Sequence, residues 1–571
     1  MDAPHIARKQ EPYDAIVVGS GISGGWAAKE LTERGLRTLV LERGRPTVHG
    51  EDYITEHKPP WELENRGRLS HEERTKIYPV QSRSWVSTAN KHFYMRDVDQ
   101  PYVEKKPFTW IRGDRVGGKS LIWGRQCYRW GPQDFEANAR DGYGVDWPIR
   151  YEDIAPWYDH VERFAGISGE ALGLPQVPDG QFQPPIPLNH VELAAREKIE
   201  RAFPERNLTI GRVAVLTRPL PGRAPCHYCN ACDRGCSPGA YFSSLSSTLP
   251  AAVATGLMTL RANSIVHSVI YDAASGRASG VRVIDRDSKE VLEFEARLVF
   301  LCASALGTTQ IMLNSVSTTF ANGIANSSGQ LGKNLMDHHF RVGASGRMPG
   351  YSEFYFAGGR PTGFYIPRFR NLGGTTDRAG YTRGFGYQGA AGRDGFRQPA
   401  EGFGVDLKEL LREPGDWNMG MTAFGEIVPR EENQVTLHPE LTDPWGIPQL
   451  VVDAELSEDE LAMRRDMAND AAEILEAAGA TGVHTWDNHT PGGYGAEPGR
   501  GIHEMGTARM GRDPRTSVLN AWNQAHDVPN LIVTDGACMT SGACQNPSIT
   551  YMALTARAVD HAAEELKRRN L

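Results

Sequence analysis

Several features that would direct a chain to a membrane or to nucleic acid are missing from this sequence. No run of 18 or more apolar residues occurs, so no membrane-spanning helix is predicted. No block of lysine and arginine occurs either, and the net charge of −8 disfavours nucleic acid as a partner. The first 19 residues contain neither an apolar stretch before the first predicted strand nor a twin-arginine pair, so we expect no export signal in this chain itself.

The composition that remains is typical of a globular protein. Of the 571 residues, 40% are hydrophobic and 23% are charged, which is enough apolar material for a normal core. This length exceeds the usual size of one domain, about 100–200 residues. The sequence therefore predicts two domains.

A glycine-rich turn near the N-terminus stands between two predicted strands. The apolar run 14–18 is typical of a buried parallel strand, and it is followed by Gly19, Gly21 and Gly24, a helix, and a second strand ending at Glu42. In such a motif the glycines permit a tight turn and close approach of a pyrophosphate, and the acid binds a ribose. A plain glycine-rich turn is the alternative. The full order predicts a dinucleotide site; the carboxylate disfavours NADP, but the motif does not separate FAD from NAD.

Four of the eight cysteines crowd into eleven residues: Cys226, Cys229, Cys232 and Cys236. Their C-x2-C-x2-C-x3-C spacing is that of bacterial ferredoxins, in which one loop wraps an iron–sulfur cluster. The spacing predicts a [3Fe-4S] cluster if three cysteines ligate, or a [4Fe-4S] cluster if all four do. The alternatives are a zinc site, although the longer spacer typical of zinc is absent, two cramped disulfides, or a loop without metal.

Further segments recur in one order along the chain. They are RVGGKS at 115–120, the apolar strand and turn at 300–315, GQLGKNLMDHH at 329–339, HEMGT at 503–507 and the block at 530–561. In this combination the chain resembles the glucose–methanol–choline oxidoreductases, a family of flavoenzymes. The resemblance covers most of the chain and is weak between about residues 340 and 500.

The resemblance implies an α/β protein with a Rossmann-like FAD-binding domain. An inserted α+β substrate domain is built on an antiparallel sheet with helices. The FAD-binding domain, which includes the cysteine loop 226–236, is expected to comprise residues 1–50, 105–135, 205–340 and 500–571. The substrate-binding domain and its lid insertions are expected to comprise residues 51–104, 136–204 and 341–499.

The implied cofactor is non-covalent FAD, because residues 119–126 lack the histidine through which some relatives attach the flavin covalently. Asp535 is expected to face the ribityl–phosphate portion. The residues expected to contact FAD are Gly19, Gly21, Gly24, Glu42, Arg43, Gly117, Gly118, Ser120, Val266, Asp535, Gly536, Asn546, Pro547 and Ser548.

The catalytic pair implied by the resemblance is His503 and Asn546. Alcohol oxidation needs a base for the hydroxyl proton while the carbinol hydrogen leaves as hydride to flavin N5, and histidine suits proton acceptance near neutral pH. We expect His503 to be that base and Asn546 to hold the substrate oxygen. A turn-capping role for His503 and an N-cap role for Asn546 are the alternatives. His338 and His339 are competing bases of lower rank. Pro547 suits the first turn of a final helix whose positive end would face the flavin.

Together with a cluster, the resemblance points to bacterial sugar, gluconate and glucoside 3-dehydrogenases. We expect oxidation of a sugar or glycoside CH–OH group to a ketone or lactone, with electrons leaving through the cluster to an acceptor such as cytochrome c. A small subunit carrying an export signal is the expected partner, which would give a periplasmic location by co-export; the alternative is cytoplasmic. A cluster-free oxidase that uses oxygen is the second reading. A non-catalytic flavin-binding subunit is disfavoured because His503 and Asn546 are both present.

Overall fold

The computed structural model describes residues 13–355, 358–393, 395 and 402–571. The first twelve residues, on which the expectation about an export signal partly rests, lie outside the described residues. The described helices are α1 (Ile22–Glu33), α2 (Pro132–Asp141), α3 (Tyr151–Ala165), α4 (His190–Ala202), α5 (Thr248–Ala254), α6 (Ala305–Asn314), α7 (Gly404–Leu410), α8 (Glu458–Ala477) and α9 (Ser548–Lys567).

The strands alternate with these helices and form three sheets. They are β1 (Tyr13–Val18), β2 (Thr38–Leu41), β3 (Val103–Glu104), β4 (Thr209–Ile210), β5 (Met258–Arg261), β6 (Ser264–Asp272), β7 (Arg277–Asp285), β8 (Val291–Leu301), β9 (His338–His339), β10 (Val342–Arg347), β11 (Phe364–Ile366), β12 (Phe385–Arg393), β13 (Trp417–Glu426), β14 (Gln434–Thr442), β15 (Pro448–Asp453), β16 (Thr481–Asp487) and β17 (Leu531–Val533).

The first sheet has the strand order β5-β2-β1-β8-β7-β6, with β17 also paired to β8. Strand β1 is a continuous apolar run that is buried along most of its length, and it pairs in parallel with β2 and β8. Strand β8 is long: its first half pairs antiparallel with β7, and its second half lies parallel to β1 and β17. Parallel strands of this kind need cover on both faces, which α1, α5 and α9 help to provide.

The second sheet is antiparallel and has the order β16-β10-β13-β12-β11-β4, with β9 paired to β13. Side chains of β13 alternate between buried and partly buried positions. Helix α8 packs against β10, β13 and β16 and covers the buried face of the sheet, while Thr422 and Phe424 of β13 line a cavity on the other face. A Rossmann-like sheet joined to an antiparallel substrate sheet confirms the predicted fold class.

A third, small sheet has the order β14-β15-β3 and was not predicted as a separate unit. Strand β3 pairs in parallel with β15, joining segments almost 350 residues apart at Val103 and Val451. Pairs between segments so distant leave no local signal, because each short strand could pair with many others.

The predicted domain boundaries stay a prediction, but several contacts cross them. Strand β4 pairs with β11 and strand β9 pairs with β13, so both belong to the second sheet, although the prediction assigns them to the FAD-binding domain. Helix α3, assigned to the substrate domain, packs against α9 and joins the core around β1. A two-residue strand carries too little alternation to reveal its sheet, and an amphipathic helix does not reveal which surface will cover it. None of the described helices is both long and apolar enough to cross a bilayer.

Candidate active site

A cavity of about 570 Å³ lies between the carboxyl ends of β1 and β2 and the second sheet. Gly19, Gly21 and Glu42 line one end, and His503 and Asn546 line the other. Ligands of open α/β sheets bind outside the carboxyl ends of the strands. The cavity therefore joins the predicted dinucleotide motif to the predicted catalytic pair.

The turn after β1 has the close approaches that the glycine motif predicts. Gly19 has a φ of 96°, in the left-handed region that favours glycine. A Cβ on Gly24 would lie 1.9 Å from the carbonyl oxygen of Gly19, so helix α1 could not sit where it does with any larger residue. A Cβ on Gly21 would meet nothing within 4 Å. The turn is therefore closely packed behind Gly24 and open in front of Gly21, where a phosphate could approach.

Glu42 ends β2 and is buried beside this turn. One carboxylate oxygen accepts from the backbone N–H of Ser20 at 2.9 Å and from its hydroxyl at 2.6 Å; the other accepts from the N–H of Gly44 at 2.7 Å. Burial raises the pKa of Glu42, and the bonds from Ser20 and Gly44 oppose that rise. Ser20 thus ties the acid to the turn. The sequence alone indicates no role for Ser20, because its position in the motif accepts many residue types.

The loop 117–120 lies directly over the glycine turn. The N–H of Gly117 donates to the hydroxyl of Ser20 at 2.9 Å, and a Cβ on Gly118 would stand 3.2 Å from the Cα of Gly21. The hydroxyl of Ser120 donates to the carbonyl of Gly117 and accepts from the N–H of Ser244. Gly118 faces the cavity, whereas Gly117 and Ser120 hold the loop from behind.

Most residues expected to contact the cofactor line the cavity, and four of them stand behind its wall. The cavity-lining members are Gly19, Gly21, Glu42, Arg43, Gly118, Val266, Asp535, Gly536, Asn546 and Ser548. The four behind the wall are Gly24, Gly117, Ser120 and Pro547. Their roles in cofactor binding stay predictions.

Asp535 and the start of α9 form a further part of the cavity wall. Asp535 is buried, accepts from the N–H of Ala537 at 3.0 Å and from the hydroxyl of Thr308, and burial raises its pKa to about 6. Helix α9 begins at Ser548, so Pro547 precedes the helix instead of lying in its first turn. The amino terminus of α9 opens on the cavity at Ser548. Its partial positive charge would stabilise an anionic group there.

His503 is held at the cavity wall by its own backbone. Its N–H donates to one carboxylate oxygen of Asp337 at 2.8 Å, and the N–H of Gly501 donates to the other at 2.9 Å. Burial and, after it, the charge of nearby Glu504 raise the pKa of Asp337 to about 7. Burial also lowers the pKa of the His503 ring well below 6.5, helped by His338 and Lys119. A neutral, fixed imidazole is what a general base requires.

The ring of His503 takes part in a chain of hydrogen bonds. Its Nδ1 lies 2.8 Å from Nδ1 of His338, and its Nε2 lies 3.3 Å from Nδ2 of Asn546. Nε2 of His338 contacts the carbonyl oxygen of Ala543, and Nε2 of Gln388 donates to Oδ1 of Asn546 at 2.6 Å. The structure thus brings the predicted pair together. The amide of Asn546 contacts side chains and makes no cap of α9, which contradicts the N-cap alternative.

The competing bases have different surroundings. His338 and His339 are both buried, and neither lines the cavity. His338 contacts His503, whereas neither ring nitrogen of His339 has a hydrogen-bond partner among the described residues. The structure therefore leaves His503 as the histidine of the three that reaches the cavity. The motif around His338 could have suggested that this residue lies near the site. Nothing in the sequence indicated that Gln388 contacts Asn546.

A partly exposed ion pair lies next to these hydrogen bonds. Nζ of Lys119 lies 2.8 Å from one carboxylate oxygen of Glu504, the residue after His503. The other oxygen of Glu504 and the hydroxyl of Tyr551 are buried without a hydrogen-bond partner among the described residues. Burying polar atoms unpaired costs free energy, so such atoms at a cavity indicate a ligand that completes them.

The second sheet closes the cavity next to the catalytic pair. Phe340 and Phe424 stack with their ring centroids 5.2 Å apart and their planes 12° apart, and the ring of Phe424 is 6.4 Å from that of His503. Gln388 and Thr422 bring polar groups to the same wall. An apolar face beside hydrogen-bonding groups suits the C–H face and the hydroxyls of an alcohol or sugar.

The cysteine loop does not form the predicted ligand set. Cys226 and Cys236 pack against the core of the second sheet, while Cys229 is exposed. The N–H of Gly359 donates to the carbonyl of Tyr228 at 2.8 Å, which pins the loop to another segment. Within the described part of the chain, no group of three or more His, Cys, Asp or Glu side chains could hold a metal ion. The iron–sulfur and zinc readings of Cys226, Cys229, Cys232 and Cys236 are therefore not supported, and all eight cysteines are free.

The cavity does fit FAD. The open space at Gly21, the amino terminus of α1 and the carboxylate of Glu42 suit a pyrophosphate and a ribose. The unpartnered oxygens of Glu504 and Tyr551 supply polar atoms near His503 that could contact the flavin ring of FAD. These features agree with a cofactor that extends from the glycine turn to the catalytic pair.

Comparison with known proteins places the chain in a family. Models described as GMC oxidoreductase match residues 13–340 and 429–555. The chain is 31% identical to the 2-methyl-1,2-propanediol dehydrogenase of Mycolicibacterium austroafricanum, over 96% of this chain and 94% of that protein. It is 26% identical to the fructose dehydrogenase large subunit of Gluconobacter japonicus, over 97% of this chain and 98% of that protein.

A solved structure supports the same fold. Pyridoxine 4-oxidase from Mesorbium loti superposes with a TM-score of 0.57 at 18% identity, covering 96% of this chain and 98% of that one. At this identity the likeness concerns the fold alone. The family models, the identity to the propanediol dehydrogenase and the geometry of the cavity agree, and the chain belongs to the GMC oxidoreductases, flavoenzymes that act on CH–OH donors.

Proposed function

We propose that this protein is an FAD-dependent dehydrogenase that oxidises a CH–OH group of a sugar or glycoside to a ketone or lactone. The observation that carries the proposal is the pair His503–Asn546, fixed at the wall of a cavity that also contains the glycine turn. FAD, when bound, supplies the acceptor for the carbinol hydride. All other steps belong to side chains of this protein.

The base is Nε2 of His503. Its pKa lies well below 6.5, so the ring is neutral at physiological pH and its lone pair can take the hydroxyl proton. Without substrate, one N–H of the Asn546 amide donates to Nε2 of His503. In the proposed complex the substrate hydroxyl replaces this contact, donating its hydrogen to Nε2 of His503 while its oxygen accepts from the amide of Asn546. Holding that oxygen between amide and base orients the carbinol carbon and adds positioning to proton transfer.

The substrate class is supported by the cavity wall and by the relatives. Phe424 offers an apolar face, and Gln388 and Thr422 offer hydrogen bonds within the same wall. The relatives named above are called dehydrogenases of a diol and of a sugar. We propose a polyhydroxylated substrate, with a glucoside oxidised at C3 as the first candidate.

An anaerobic reduction experiment tests this proposal. The FAD-loaded protein would be mixed with an alkyl glucoside, glucose, fructose, gluconate or 2-methyl-1,2-propanediol, and bleaching of the flavin would be followed by absorbance. We expect bleaching by at least one sugar or glycoside, with a ketone or lactone identified by mass spectrometry and NMR. Absence of bleaching by every CH–OH compound would refute the function, and reduction by the diol alone would refute the sugar class.

The same preparation tests how the cofactor is held. Because residues 119–126 contain no histidine, we expect acid precipitation to release all of the FAD into the supernatant. Flavin that stays with the precipitate would show a covalent bond. Reoxidation of the reduced protein would then be compared with oxygen and with cytochrome c. Fast reoxidation by cytochrome c and slow reoxidation by oxygen would support a dehydrogenase; the reverse would support the oxidase reading.

We also propose a small subunit that carries an export signal and a periplasmic location reached by co-export. The support is that the fructose dehydrogenase relative is called a large subunit. Expression of the chain with its neighbouring genes, followed by fractionation and affinity purification, would test the idea. A chain that stays in the cytoplasm without a partner would refute it. No step of the proposed reaction passes through the cysteine loop.

A further inference from the structure

We propose that His338 is a positioning residue that fixes the ring tautomer of His503 and so keeps Nε2 of His503 unprotonated and able to accept a proton. Its kinetic consequence rests on the proposed function, whereas the tautomer itself can be measured without substrate. The tautomer follows from a series of hydrogen bonds that starts at the backbone carbonyl of Ala543.

The direction of the chain is set by the carbonyl of Ala543. A carbonyl oxygen can only accept, so Nε2 of His338, which contacts it, carries a hydrogen. In a neutral imidazole the other nitrogen is then an acceptor, so Nδ1 of His338 accepts from Nδ1–H of His503 across 2.8 Å. With its hydrogen on Nδ1, His503 has an unprotonated Nε2 facing the cavity.

The opposite end of the chain has the same direction. Gln388 donates to the oxygen of Asn546 at 2.6 Å, which leaves the nitrogen of Asn546 to donate to Nε2 of His503 at 3.3 Å. Every group in the series then makes the hydrogen bond that its chemistry permits. Networks of this kind specify one arrangement because every member is satisfied.

The reverse direction would need a charged His338. If His338 carried hydrogens on both nitrogens, His503 would hold its own on Nε2 and could not act as the base. His338 is 1% exposed, and its ring nitrogens contact only Ala543 and another imidazole, with no carboxylate. Burial lowers the pKa of His338 to about 4, in agreement with a neutral ring. The reversed arrangement is therefore disfavoured at neutral pH.

The series of hydrogen bonds starts and returns in one segment of the protein. Ala543 and Asn546 belong to one loop, so the segment that supplies the substrate-holding amide also supplies the carbonyl that sets the tautomer. A shift of this loop would alter both contacts of the base at once. His338 thus links the loop to His503 from the side away from the cavity.

Two variants at position 338 and one neighbour form the kinetic test. His338→Leu removes the acceptor for Nδ1–H of His503, and we expect flavin reduction to slow about 100-fold with unchanged substrate affinity, near the lower end of losses for a general base. His338→Asn places an amide oxygen near the former Nδ1, and we expect a rate within about tenfold of wild type. His339→Leu is the matched control: it removes a buried histidine without contact to His503, and its rate should equal that of wild type.

Direct measurement of the tautomer completes the test. In FAD-loaded protein labelled with ¹⁵N-histidine, the signals of His503, identified by their loss in His503→Gln, should show a protonated Nδ1 and an unprotonated Nε2. His338→Leu should shift this population toward protonated Nε2, and His338→Asn should restore it. An Nε2-protonated His503 in the wild type, or equal reduction rates for all three variants, would overturn the inference. If His338→Leu lost FAD, the wild-type tautomer and His338→Asn would decide.

Since the tautomer is read without substrate, the two proposals can fail separately. Failure of every CH–OH compound to bleach the flavin would reject the function and leave the tautomer result standing. Bleaching of the wild type together with a wrong tautomer would reject only the role of His338.

Discussion

The loop around Asn546 and the loop around the four cysteines are both short, and both were assigned a function from the sequence, the first through the family resemblance and the second through residue spacing. They differ in what surrounds them. Asn546 is 8% exposed, and its amide contacts the ring of His503 and the side chain of Gln388 from the second sheet. In the cysteine loop, Cys229 is exposed while Cys226 and Cys236 pack against a core. One loop brings its amide to a cavity, whereas the other does not line that cavity and forms no metal-ligand group among the described residues.

The difference shows what spacing can and cannot establish. Spacing determines which residues can come close along the chain, but the direction of each side chain depends on what packs against the loop. The segment around His503 is held by Asp337 from a distant part of the sequence, whereas the cysteine loop is paired to Gly359 through its backbone. Convergence of side chains is therefore a property of the contacts, and substitutions in the two loops should have very different effects.

The largest effect is expected for His503→Ala. The proton of the substrate hydroxyl would lose its acceptor, and flavin reduction should fall by about 10²–10⁴-fold. FAD content should not change, because the glycine turn and Glu42 are intact. Stopped-flow absorbance under anaerobic conditions measures the rate. The control is His484→Ala on β16, which lies outside the cavity lining and should reduce at the wild-type rate. A normal rate of flavin reduction in His503→Ala would show that His503 is not the base.

Asn546→Ala should have a smaller effect. The variant loses one hydrogen bond to an oxygen that becomes charged, and such bonds contribute about 1.5–3 kcal/mol, or roughly 10- to 100-fold in rate. The proton acceptor remains, so the loss should be less than that of His503→Ala. Comparing the limiting rate of flavin reduction in the two variants measures the difference. An equal or larger loss in Asn546→Ala would mean that positioning outweighs proton transfer at this site.

The third prediction concerns pH. Burial, His338 and Lys119 lower the pKa of His503, so the ring stays neutral and competent as the pH falls through 6.5. The rate of flavin reduction should therefore be constant from about pH 8 to about pH 6 and should fall only below that. Lys119→Met removes a positive neighbour, favours protonated His503 and should move the acid limb to higher pH. Lys333→Met, at a surface pair with Glu431, is the control. A wild-type limb centred at pH 6.5 would contradict the lowered pKa.

The smallest effect is expected for Cys229→Ser. Cys229 is exposed, and the cysteine loop does not line the cavity, so flavin reduction by substrate should stay within about twofold of wild type. Iron and acid-labile sulfide analysis of the wild-type protein sharpens the comparison between the loops. Three or four iron atoms per chain, together with a loss of cytochrome c reduction in Cys229→Ser, would reinstate the four cysteines as ligands.

Much of the site could be predicted where a motif fixes the local backbone. Gly19 and Gly24 are required by the turn itself, Gly21 leaves its front open, and Glu42 follows at the end of the next strand, so these positions are found with little help from the rest of the chain. His503 and Asn546 are 43 residues apart, and it was the family resemblance that paired them. Their contact in the structure agrees with that pairing.

What could not be predicted depends on contacts between distant segments. Asp337 holds the backbone at Gly501 and His503, and Gln388 reaches Asn546 from β12, yet neither carries a pattern that names its partner. The pairings of β3 with β15, of β4 with β11 and of β9 with β13 could not be predicted either. Strands β3, β4 and β9 have two residues each, which is too short to show periodicity. The prediction of a metal site in the cysteine loop was not supported for the opposite reason. Its spacing pattern was strong, but the sequence did not reveal what packs around the loop.

The walls of the cavity also bear on how the protein is made. The glycine turn emerges early from the ribosome, but Ile447 near β15, His503, Asp535 and the start of α9 complete the cavity, and they are synthesised last. A nascent chain that ends before residue 501 lacks nine of the residues that line the cavity, His503 and Asn546 among them. We therefore expect a complete FAD site only after the C-terminal segment has been made and α9 has docked against α1 and α3.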